Sequence, residues 1–141
     1  VTDETPQRIL LAGTEILAPA LVPHGFVFKL EAHGKGSGGS FASGSYTRAN
    51  RSVELHFRYS LGLVTYHIDQ ASLDHEAYMR LLGVHGMNQY PDFPREPLES
   101  FRHLAMDIQN YCQDFVSGDG KQFHTLAAAL ARNQNMFKGI P

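Results

Sequence analysis

The chain has 141 residues, 43% of them hydrophobic and 18% charged, with a formal charge of −2 at neutral pH. That length supports one hydrophobic core and is short for two domains, while no apolar run reaches the roughly 18 residues of a membrane span. The acidic balance gives no bulk attraction to nucleic acid, and Cys112, the only cysteine, rules out an intrachain disulfide and a thiolate metal cluster.

The start, Val1-Thr2-Asp3-Glu4, is polar and lacks the basic-then-apolar pattern of a secretory signal, so a cytoplasmic protein is expected. Thr5 is placed to N-cap a first helix with Pro6 at its first position, where the missing N–H costs nothing. Ile9, Leu10, Ala12, Ile16, Leu17, Ala20 and Leu21 give that helix one apolar face. Pro19 removes a bond to the carbonyl of Glu15, predicting a kink or short break before Pro23-His24-Gly25 ends the segment.

The period then changes from helical to two. Phe26, Phe28 and Leu30 alternate with Val27, Lys29 and Glu31, predicting a first strand before a Gly/Ser-rich connection around 34–44. A second strand covers Phe41 to Arg48, with Gly44 marking a bulge or a close approach to the backbone. Val53, Leu55, Phe57 and Tyr59 alternate with Glu54, His56 and Arg58 in a third strand, and after Leu61-Gly62 a fourth runs from Leu63 to Ile68. The short connections predict an antiparallel meander of four strands.

Asp74 then caps a second helix, with Leu73 and Tyr78 at hydrophobic-staple positions and Gly83 as its C-terminal stop. Pro91 and Pro94 make 84–96 an ordered, irregular loop. Pro97 starts a third helix, whose face is Phe101, Leu104, Ala105, Ile108, Tyr111, Cys112 and Phe115 before Gly118. A last helix runs from about Lys121 to Met136, with Asp119 at its start. The sum is a single α+β domain over 1–141, a four-stranded antiparallel sheet packed on one face by an N-terminal helix and the C-terminal helices.

Gly34-Lys35-Gly36-Ser37-Gly38-Gly39 satisfies GxGxxG, but a strand rather than a helix follows, so no nucleotide-binding fold and no cofactor is assigned. The stronger feature is the polar side of the strands. If Val53, Leu55 and Phe57 face the helices, Glu54, His56 and Arg58 share the opposite face, joined by Thr65 and His67 from the fourth strand. Lys29 and Glu31, and Tyr46 and Arg48, are expected to extend this cluster.

His56, His67 and Glu54 are the candidate proton carriers and orienting carboxylate, with Arg58, Arg48, Tyr46 and Lys29 as ligand-binding groups. The same residue types also make an ordinary solvated face. No HExxH or helical His pair supports a metal, and none is assigned. Two functions follow: a binding or interaction protein whose partner is a small anion, another protein or a second copy in a homodimer, and an acid–base enzyme acting on an anionic metabolite. Arg48, Arg51 and Arg58 with Tyr46 or Tyr66 form the best nucleic-acid surface, against which Glu54 and the net charge argue. Tyr90 and Phe93 are the aromatic anchors if the 84–96 loop meets a partner. The pattern from Leu17-Ala18-Pro19 to Gly25-Phe26-Val27-Phe28 resembles small bacterial α+β families, some of whose relatives resemble toxin-immunity or other interaction proteins. It contains no catalytic motif, and the resemblance implies no site residue.

Overall fold

The computed structural model describes residues 5–36 and 39–138, the last four of these by backbone alone. Thr5 caps helix α1 (Pro6–Leu21) by accepting from the Arg8 amide. The helix runs through Pro19 without a break, and a 3-10 turn over Val22–His24 carries the chain to Gly25, whose φ of 95° turns it into the sheet.

The sheet has five antiparallel strands in the order β1-β2-β3-β4-β5, which corrects the four-stranded expectation. The strands are β1 (Val27–Gly36), β2 (Gly39–Arg48), β3 (Arg51–Phe57), β4 (Thr65–Ile68) and β5 (Ala71–Asp74). β5 escapes a sequence reading for two reasons. It has only four residues and ends on the helix cap Asp74, and its turn with β4 is Asp69-Gln70, with Asp69 at φ 53° and no glycine to announce it. Strand pairing also occupies most of the glycine-rich segment, whose Ser37 and Gly38 lie outside the described residues.

Register divides the side chains cleanly. Phe28, Tyr46, Val53, Tyr66 and Leu73 form a row across all five strands on the inner face. On the outer face the neighbouring row is Lys29, Ser45, Glu54, Thr65 and Asp74. A bulge between Leu30 and Ala32 lies opposite Gly44, where the Phe28 ring and the Lys29 carbonyl come too close to allow a Cβ. Gly44 thus serves close approach, one of its two expected roles.

Helices α2 (His75–Leu81), α3 (Pro97–Tyr111), α4 (Gln113–Val116) and α5 (Lys121–Lys138) complete the chain. The expected third helix is broken at Cys112, which lets Phe115 turn to stack with Phe26 and meet Tyr66 edge-on. Asp114, in the short α4, accepts from the amides of Gly120 and Phe123 and holds the start of α5.

α1 lies against α3 because Gly13 leaves room for the Phe101 ring; a Cβ there would overlap it. Alanine at position 13 gains about 0.5–1 kcal/mol in helix propensity, but overpacking a closed contact costs about 1–3 kcal/mol. Gly13→Ala is therefore expected to lower the urea midpoint, and Phe101→Leu combined with it to recover part of the loss.

Candidate functional site

The outer face of the sheet gathers part of the predicted cluster and disperses the rest. Glu54 and His56 project outward from β3 and His67 from β4. His67 opposes Ser52, so Glu54 is its diagonal neighbour, with Oε1 2.7 Å from Nε2. His56 opposes Ser43, four positions further along β3 and about 13 Å away. It stacks on Phe41 at 5.8 Å, and the Arg58 guanidinium lies 5.7 Å from the same ring. The expected cluster thus separates into two pairs, Glu54 with His67, and His56 with Arg58 through the Phe41 ring that both meet.

Lys29 is on this face, two strands from Glu54. Tyr46 and Arg48 are not. Tyr46 points inward, buried, and donates to the Thr14 carbonyl of α1. Arg48 lies over Phe26 and donates to the Val116 carbonyl, while Arg51 donates to the carbonyls of Asp114 and Phe115. Both cations satisfy the C-terminal carbonyls of α4, a structural task that the helix dipole favours. The two-residue period decides this: Tyr46 pairs with Val53, so it must share Val53's inward direction.

Two depressions adjoin the face. One, of about 420 Å³, is lined by Glu31, Ser43, Glu54, His56, Leu63 and Thr65 among others. Ser45 donates to Glu31 and holds that carboxylate at the β1 bulge. The other, of about 280 Å³, lies where the 60–64 segment, the start of α2 and the 90–93 segment meet, and Leu63 stands between the two. Among the described residues no group of three His, Cys, Asp or Glu side chains is placed to hold a metal ion.

The sequence reading missed a buried chain of hydrogen bonds beneath the second depression. Tyr66 Oη is 2.7 Å from His75 Nδ1, and His75 Nε2 is 2.9 Å from Asp107 Oδ2. His75 and Asp107 are 2% and 1% exposed. Asp107 also accepts the amides of Gln89 and Tyr90 at 2.7 and 2.8 Å, and Tyr90 donates its hydroxyl to the carbonyls of Leu61 and Gly62. A carboxylate accepting from two amides and an imidazole N–H leaves His75 Nδ1 to accept from Tyr66. Every member is engaged within the fold, and this chain holds the 84–96 loop in place. The signal available in the sequence was Asp107 itself, a carboxylate in step with Ser100, Leu104 and Tyr111 on the core side of α3.

Burial raises the Tyr66, Tyr78 and Tyr90 phenols and the Cys112 thiol well above their ordinary values of 10 and 9. Cys112 is therefore an inert core thiol. No family model matches this chain, and neither a curated protein nor a solved structure gives a significant match. Among the described residues, no helix is long and apolar enough to cross a membrane.

Asp107→Asn replaces one of the two accepting oxygens by an NH2 donor that faces an amide or the imidazole N–H, and is expected to cost about 3–5 kcal/mol in urea unfolding. Glu54→Gln, at an exposed pair, is expected to cost under about 1 kcal/mol. Because the buried phenols and thiol ionise more readily unfolded than folded, their stabilisation is whole below about pH 9 and is lost as pH rises through their folded values. Melting temperature should fall above about pH 9, and Cys112 should react with a thiol reagent only on unfolding.

Proposed function

We propose that this protein is a binding protein whose ligand or partner lies on the outer sheet face and the loops beside it. The observation that carries the reading is a largely polar, solvent-accessible face with a depression in it, with the inward row from Phe28 to Leu73 turned to the other side. A small anion is the poorer fit. Arg48 and Tyr46 belong to the core side, Lys29 and Arg58 stand apart, and Glu31 and Glu54 line the depression. The separation of His67 from His56 and Arg58 also favours binding over acid–base catalysis, which needs proton carrier and clamp on one substrate.

The test is an amide-shift map of the isotope-labelled protein titrated with polar fragments and short peptides. Shifts are expected to concentrate at Ser43, Glu54, His56, Leu63 and Thr65, with Glu54→Lys weakening the responsible ligands about tenfold or more. Shifts concentrated away from both the outer sheet face and the 60–64 and 84–96 segments beside it would remove the reading.

A further inference from the structure

The depression beside the 84–96 loop is a cleft with apolar walls and acidic lips. Leu63 and Phe93 stand on its rim, 68% and 104% exposed, and Tyr90 and Pro91 form part of its lining. Asp74, Glu76 and Asp92 also line it, and no lysine or arginine does among the described residues. Asp74 caps α2 and Asp92 meets His103, so each has a place in the fold, yet carboxylate oxygens keep further acceptor positions. The negative charges of Asp92 and Glu76 are both felt at the Tyr90 hydroxyl, raising its pKa beyond the effect of burial. The volume of about 280 Å³ is at the small end for a metabolite-sized body and suits a side chain of a larger partner.

We propose that this cleft binds a peptide segment of a partner protein through a lysine or arginine side chain flanked by apolar residues. The apolar flanks cover Leu63 and Phe93, and the cation faces Glu76 and Asp92. Desolvating the two rim side chains supplies affinity, and the carboxylates reject acidic segments. The inference deepens the binding reading above by naming the partner's chemistry, and it rests on that reading.

The probe is a fluorescein-labelled heptapeptide with one arginine between two leucines, titrated by anisotropy at low salt. Saturable binding is expected, weakened about fivefold by Glu76→Gln and about tenfold by Phe93→Ala. It should weaken again between about 50 and 300 mM salt. Both substitutions are at exposed positions, and circular dichroism checks that each variant is folded. Amide shifts are expected at Glu76, Tyr90, Asp92 and Phe93. The inference is overturned if the matched glutamate peptide or arginine amide alone binds as tightly, if both variants bind like the parent, or if nothing binds saturably. Shifts confined to Ser43, Glu54 and His56 overturn it while leaving the broader binding reading intact.

Discussion

The Asp107 carboxylate is the point on which this structure turns. An ion this far from water costs several kcal/mol unless its acceptor positions are filled. Here they are filled by two amides of one loop and by an imidazole at the start of α2. The constraint is reciprocal: the loop cannot leave without stranding the carboxylate, and α2 cannot shift without breaking His75 from both Asp107 and Tyr66. β4, α2, α3 and the loop are thereby locked to one another. Because Asp107 takes backbone donors from the loop, it fixes the path of the chain there and leaves side chains such as Phe93 free to point outward.

The molecule contains two kinds of His–carboxylate pair, and their surroundings give them different weight. Glu54 and His67 are 57% and 31% exposed, so solvent screens them and the pair contributes at most about 1 kcal/mol. The same contact between His75 and Asp107, out of water and with every hydrogen bond made, is far harder to break. Location alone separates a group available to a partner from one committed to the fold. Arg48 and Arg51 teach the same lesson. A cation that looks free in the sequence is spent on the carbonyls of α4 once the chain turns it toward the core.

Much of the architecture was legible because it rests on local rules. Thr5 and Asp74 cap helices where their side chains reach back to an amide, and the alternation of Val53, Leu55 and Phe57 fixes the direction of Glu54 and His56. What was not legible is set by register and by pairs far apart in sequence. The inward direction of Tyr46 and Arg48 follows from the pairing of one strand with another, here Tyr46 with Val53, and not from a local pattern. The distance between His56 and His67 likewise depends on β4 starting opposite Glu54, which no local pattern dictates. β5 lacks a turn signal, and the meeting of Tyr66, His75 and Asp107 spans 41 positions of chain, from 66 to 107.

The locked loop also changes the meaning of its exposed aromatic ring. A lone exposed apolar side chain is ordinary on a protein surface, and on a loosely held loop it would carry no argument. Phe93 instead follows a segment anchored by the Gln89 and Tyr90 amides, by the Tyr90 hydroxyl and by Asp92 against His103. Leu63 belongs to a segment that the same Tyr90 hydroxyl fixes through the carbonyls of Leu61 and Gly62. The two rim side chains thus sit on segments that buried bonds fix in place. A partner that covers both gains their apolar area with little ordering cost on this side, which is the condition under which a small cleft can bind selectively.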